Sequence, residues 1–306
     1  MHPPEQDTEK FTQLLRQLVP QSRLLRVWKM PGGVSAQVTA LEIERVDGQT
    51  QRMIVRRHGS IDLQHNPHIA ADEFRLLQRL HSAGLAVPEP YFFDQSNEIF
   101  PSPYIVLEYI DGETVFAPLS LEDYLVQVAT QLSKIHSLRD WLVDLSFLPD
   151  QTTIYQQKLH PRPTKLDDSL QEGQIRDVLE KVGQLAQRNQ PTLLHGDYWS
   201  GNILWRDQQL IAVIDWEDAR IGDPLADLAV TRLEMLWTFG IDAMHRFTDL
   251  YRTMTSLDFN NLPYWDLYAA LRPAFKIADW ASDPAAELAM REKHRSFVVL
   301  AFDQLK

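Results

Sequence analysis

Three strand-length apolar runs, at residues 24–28, 36–43 and 53–56, stand close together near the amino terminus, and after them the apolar spacing becomes helical. Pro31-Gly32-Gly33 supplies turn chemistry between the first two, and Asp47-Gly48 between the second and third. Short runs broken by Gly, Pro and Asp-Gly read as antiparallel strands joined by tight turns. Ahead of them, Phe11, Leu14, Leu15 and Leu18 share one helical face, which Pro20 ends. A second helical stripe follows from Asp72 through Phe74, Leu77 and Leu80 to Gly84, and further strands are expected at residues 91–93 and 104–108. Strands first and helices later predict an α+β protein with a small antiparallel-sheet lobe over residues 1–108 and a mainly helical lobe over residues 109–306.

In the second lobe, Leu121, Tyr124, Leu125, Val128, Leu132 and Ile135 mark one helix, and Ile175, Val178, Leu179, Val182 and Leu185 another. Residues 149–163 are polar and broken by Pro161 and Pro163, and read as an irregular excursion on the substrate side. Strands are expected at 192–194 and 203–205, the latter paired with 210–214 in a hairpin. Helices are expected over 225–237, 265–280 and 286–300.

Composition removes several function classes. The 306-residue chain carries a formal net charge of -12, which argues against a general nucleic-acid surface. It has no cysteine, so disulfides, thiolate catalysis and cysteine zinc sites are excluded. Met1 to Glu9 has no apolar signal core, and no segment is apolar enough to cross a membrane, so the expectation is a cytoplasmic protein, monomer or homodimer, with no membrane or nucleic-acid partner.

The chemistry is concentrated between residues 195 and 229. Asp197 and Asn202 lie on one loop between apolar runs, and Asp215 ends the next run. A carboxylate ending an apolar strand is poorly explained by packing, because burying an unpaired charge is costly. Two carboxylates and an amide can instead hold a divalent ion on a polyphosphate and accept a proton from an attacking hydroxyl. A metal-dependent hydrolase could use the Asp197 and Asp215 pair as well, but would leave the glycine turn of the first lobe without a purpose.

The linked motifs His195-Gly196-Asp197-Tyr198-Trp199-Ser200-Gly201-Asn202, Ile214-Asp215-Trp216-Glu217 and Gly222-Asp223-Pro224-Leu225-Ala226-Asp227-Leu228-Ala229 resemble those of the aminoglycoside phosphotransferase family. The resemblance implies a bilobal protein-kinase-like fold and an ATP-dependent small-molecule kinase using Mg2+, with GTP not excluded. It implies that Asp197 is the catalytic base and that Asn202 and Asp215 hold magnesium. The turn carrying Gly32, Gly33 and Ser35 matches the loop over the nucleotide phosphates, where glycines let backbone amides approach anionic oxygens; an ordinary hairpin turn is the alternative.

Arg56 stands where kinases use a strand lysine on the phosphates, and Arg57 competes with it. Strand alternation sends the two side chains to opposite faces, and the 53–55 register favours Arg56. Glu73 resembles the partner that steadies this basic residue, against the alternative of a solvated helix-start carboxylate. Glu108, Tyr109 and Ile110 match the inter-lobe segment whose backbone reads the adenine edge.

His195 is expected to brace the catalytic loop, and His136 to be structural. Glu217 is open between a water-mediated metal contact, a substrate contact and an ion pair. Asp223 reads as an N-cap, and Asp227 as a partner of the loop or of Arg220. The acceptor is a hydroxylated small molecule, with a cationic one compatible with the acidic chain; Asp266 and Glu287 are candidates to attract its amine. The later aromatics, among them Trp237, Tyr264, Trp265, Tyr268 and Trp280, could line a pocket, although helix packing is the plainer reading. A catalytically inactive nucleotide-binding regulator is the remaining alternative.

Overall fold

A computed structural model describes residues 5–30, 36–138 and 145–306. The chain forms two compact units, one of Met1–Gly112 with Ile211–Glu217 and the other of Glu113–Leu210 with Asp218–Lys306. The fold is α+β, with the sheet in the first unit and mainly helices in the second.

In the first unit, α1 (Glu5–Leu18) precedes β1 (Arg23–Lys29), β2 (Ala36–Glu44) and β3 (Thr50–His58). A short α2 (Ser60–His65) and the longer α3 (Ile69–Ser82) follow, then β4 (Pro90–Asp94) and β5 (Tyr104–Glu108). The sheet runs in the order β1-β2-β3-β5-β4, with every neighbouring pair antiparallel. Gly48 turns the β2–β3 hairpin at φ +77°, in the left-handed region that glycine enters without steric cost. Phe11, Leu14 and Leu15 of α1 close over Leu41, Ile43, Met53 and Val55, with Phe100 and Tyr104 beside them. Each such side chain taken out of water contributes roughly 1.5–3 kcal/mol. That burial fixes the strand register, because a slip of one residue would turn this set to solvent.

The second unit begins with α4 (Leu121–His136), whose Ser120 side chain accepts from the Asp123 amide as an N-cap. Residues 151–159, expected to be irregular, form a helix, α5 (Gln151–Leu159). Asp150 caps it by accepting from the Thr152 and Thr153 amides, and it buries only Gln151, Tyr155 and Leu159. One apolar stripe so thin leaves little periodicity to read.

Helix α6 (Glu172–Val182) leads to β6 (Thr192–Leu194); after the loop, β7 (Ile203–Arg206) pairs with β8 (Gln209–Val213) as the expected hairpin. The partner of β6 is β9 (Arg220–Gly222), a three-residue strand too short to be legible in the sequence. Helices α7 (Leu225–Phe239) and α8 (Ile241–Met254) follow. The helix expected over 265–280 is two, α9 (Leu262–Ala269) and α10 (Ile277–Trp280), separated by turns that contain Pro273 and a left-handed Phe275. Proline in a helix interior removes a hydrogen bond and clashes with the preceding turn. Helix α11 (Pro284–Asp303) is the last element. Among the described residues, no helix is long and apolar enough to cross a membrane.

Candidate active site

In the first unit the polar centre is built on β3. The alternation of the strand sends Arg56 inward, 6% exposed, while the Arg57 guanidinium lies over the Phe100 ring. Arg56 Nη1 donates to Glu73 Oε1 of α3 at 2.6 Å, and Nη2 donates to Asp215 Oδ1 at 2.6 Å and to Glu217 Oε2. Glu73 is thus a buried ion-pair partner and not a solvated helix-start carboxylate. Burial opposes the charge on Arg56, but Glu73, Asp215 and Glu217 together hold it protonated, above its ordinary range.

Asp215 has φ +67°, a left-handed conformation that is uncommon outside glycine and that aspartate tolerates better than most residues. The Trp216 indole N–H donates to the Val213 carbonyl and stabilises this turn. His58, on the same face of β3 as Arg56, has its Nε2 3.3 Å from Glu73 Oε2. Burial, then the Arg56 charge, lowers its pKa to about 4, so it is neutral near pH 7.

The Arg56 guanidinium thus faces three carboxylates, Glu73, Asp215 and Glu217. Ligand-type atoms of His58, Asp62 and Glu217 also lie within 4.8 Å of one another.

The second unit carries the loop of Asp197. Beyond β6, the amides of His195 and Gly196 donate to Asp227 at 2.6 and 2.8 Å, and His136 Nε2 lies 3.2 Å from the same carboxylate. Burial alone would raise the Asp227 pKa; the hydrogen bond from His136, the electrostatic influence of the two nearby histidines and the Gly196 amide bring it below the ordinary value. His136 is in turn held by the Tyr251 hydroxyl at 2.6 Å. Asp227 therefore pairs with the loop, while Arg220 donates to the carbonyls of Asp218 and Gly196.

Gly196 sits at φ +85°, where an added Cβ would collide with the Asp218 carbonyl and the Arg220 guanidinium. No other residue fits there without moving backbone. His195, fully buried, accepts the Asp197 amide on Nδ1 at 3.2 Å.

Asn202, in the turn before β7, donates its side-chain amide to the Asp197 carbonyl at 2.9 Å and to Asp197 Oδ2 at 3.1 Å. That orientation leaves the Asn202 side-chain carbonyl oxygen, a hard donor suited to magnesium. Arg272 was not singled out in the sequence. Its Nη1 donates to the Gly196 carbonyl at 3.0 Å, and its Nη2 pairs with Asp197 Oδ1. Glu234 of α7 is close to both charges, and burial raises its pKa to about 7 against the opposing pull of Arg272.

The model of the phosphotransferase enzyme family matches residues 30–272. The chain belongs to that family. Among curated relatives of this chain, human acyl-CoA dehydrogenase family member 11 is 25% identical over 259 residues, covering 74% of this chain and 32% of that protein. The chain thus spans about a third of the length of that relative.

Among solved structures, a putative aminoglycoside phosphotransferase from Ralstonia eutropha JMP134 has a TM-score of 0.66 at 15% identity, covering 97% of each chain. Macrolide 2'-phosphotransferase type I has a TM-score of 0.64 at 16% identity, covering 100% of this chain and 98% of its own. At these identities the likeness is one of fold.

Of the other expected residues, Gly32, Gly33 and Ser35 lie outside the described residues. Glu108 ends β5; its amide donates to the Glu89 carbonyl at 2.8 Å, and the Ile110 carbonyl accepts from Gly112 at 3.0 Å. The Asp223 carboxylate accepts from the Leu225 amide at the start of α7. Asp266 does not face an acceptor: it is buried in an ion pair with Arg232, with N–O distances of 3.0 Å. Glu287 pairs with Arg291 one helical turn on. Trp265 packs against Tyr155 and Tyr268, and Trp237 against Trp280. Neither Arg272 nor Glu234 carried a sequence signal, since each matters through a partner distant in the chain.

Proposed function

We propose that this phosphotransferase moves the γ-phosphate of ATP to a hydroxyl of a small molecule. The observation that carries the reading is the construction around Asp197. Asp227 and Gly196 fix the loop backbone, while Arg272 and Asn202 hold the carboxylate itself. A carboxylate held this firmly at the tip of a loop suits a base that must meet one hydroxyl at one angle.

In the reaction, the acceptor oxygen forms a bond to the γ-phosphorus as the bond from that phosphorus to the β,γ-bridging oxygen breaks. Asp197 takes the hydroxyl proton, and ADP leaves with the bonding electrons. Asn202, through its carbonyl oxygen, and Asp215 are the residues that would hold Mg2+. The carboxylate oxygens gathered around Arg56, and the cluster of His58, Asp62 and Glu217, support a cation on that side. Magnesium would neutralise charge on the phosphates. Arg56, steadied by Glu73, is proposed to present positive charge to them, and the first unit to carry the nucleotide while the second carries the acceptor.

ADP formation from ATP, and separately GDP formation from GTP, measured with magnesium over a panel of alcohols, tests the reading. Product with at least one acceptor, lost in Asp197→Asn, is the expected result. Tight nucleotide binding without product from any acceptor would favour an inactive regulator.

A further inference from the structure

The second unit contains a cavity of about 240 Å³ lined by Gly196 and Arg272, the same groups that hold the Asp197 loop. Its charged lining is lopsided. Lys158 of α5, Arg220 of β9, and Arg272 and Lys276 between α9 and α10 supply four cations, against the carboxylates of Asp218 and Asp227. Asp227 is fully engaged by the loop amides and His136. Asp218 is 3.9 Å from Arg220, and Arg272 is paired with Asp197.

That leaves Lys158 and Lys276 with no carboxylate within ion-pair distance among the described residues. Burial, then the charges of Lys276 and Arg176, with Arg272 behind them, lowers the Lys158 pKa from its ordinary value against the opposing charge of Glu172. Two lysines lining one cavity with no carboxylate in ion-pair contact repel each other, and an anion entering the cavity would relieve that repulsion.

We propose that the acceptor is an anion, a hydroxylated compound whose carboxylate or phosphate is held by Lys158 and Lys276 while its hydroxyl faces Asp197. This rests on the phosphotransfer reading above and names its substrate class. A cationic acceptor, compatible with the acidic chain as a whole, would instead bring its amine to a cluster of cations. Net charge does not report the sign of one cleft, and the two differ here. The bond changes are those already given, with a phosphate monoester of the anionic alcohol and ADP as products.

The test pairs each anionic alcohol with a neutral counterpart: gluconate and glucose 6-phosphate against glucose, and 3-hydroxybutyrate against its methyl ester. Ethanolamine and glucosamine serve as cations. ADP formation is followed with wild type, Lys158→Gln and Lys276→Gln, and binding of the anionic members is measured by calorimetry without nucleotide. The expected result is kcat/KM favouring at least one anionic member by about tenfold or more, with KM raised about tenfold in each variant and kcat changed less. Gluconate and 3-hydroxybutyrate against glucose 6-phosphate decide between carboxylate and phosphate.

Turnover of ethanolamine or glucosamine in preference to the anions, with KM unmoved in both variants, overturns the anionic acceptor and leaves phosphotransfer standing. Anion binding that is lost in both variants, with no ADP formed from any alcohol, upholds the anion site and overturns phosphotransfer. Neither binding nor turnover of the anionic members overturns the proposal.

Discussion

Arg272 grips Asp197 and the backbone that presents it at the same time, one guanidinium nitrogen on the carboxylate and the other on the Gly196 carbonyl at 3.0 Å. A planar fork can make both bonds, whereas a lysine ammonium cannot reproduce that geometry. Arg272→Ala is expected to lower kcat between about tenfold and a hundredfold, as for loss of a charge-assisted bond. Arg272→Lys should restore part of it. Steady-state kinetics set beside melting curves check this; a fall in melting temperature with kcat unchanged would make Arg272 purely structural.

Asp197 and Asp215 should fail differently. Asp197→Asn keeps the shape and removes the base, so turnover should fall about a hundredfold or more with nucleotide affinity retained. Asp215→Ala should weaken magnesium-dependent nucleotide binding together with turnover. Nucleotide titrations with and without magnesium, run alongside ADP release, distinguish the two. Near-normal rates in both variants would sink the role assignments.

The Arg56–Glu73 pair is buried on both sides, in contrast to Arg23–Glu44, whose side chains are 72% and 39% exposed. Arg56→Ala leaves Glu73 buried without its counter-ion, at an expected cost of about 3–5 kcal/mol. Arg23→Ala should cost less than about 1 kcal/mol. Urea unfolding of the two variants gives the comparison, and equal midpoints would contradict the burial argument.

Glu234 sets a pH dependence of unusual sign for a carboxylate. Its folded pKa is raised by burial to about 7, above the ordinary value of 4.5, so the folded state binds this proton more tightly. The stabilisation is fully present below about 4.5 and is lost as pH rises through about 7. Glu234→Gln should remove that component, and melting temperatures of both proteins between pH 5 and pH 8 would show their difference changing with pH. A constant difference would place the Glu234 pKa outside the window.

Much of the fold was legible because it is recorded locally. The period of two at 36–43 became β2, the stripe from Leu121 to Ile135 became α4, and turn residues marked several of the breaks. The failures were local as well: α5 buries too thin a stripe to announce itself, and Pro273 with Phe275 divides the helix expected over 265–280. At the site, strand alternation put Arg56 and Arg57 on opposite faces, and the 53–55 register chose Arg56 for the inward one.

The sequence by itself determined the family, the α+β element order and the residues on which the chemistry is proposed to rest, because motif spacing and apolar period are properties of neighbours along the chain. Only the tertiary structure decided that Arg272 meets Asp197, that Asp266 is consumed by Arg232, and that Lys158 and Lys276 line one cavity. Those encounters join residues 75, 34 and 118 positions apart. They follow from how distant elements close on one another, and no local pattern encodes which charge will find which partner.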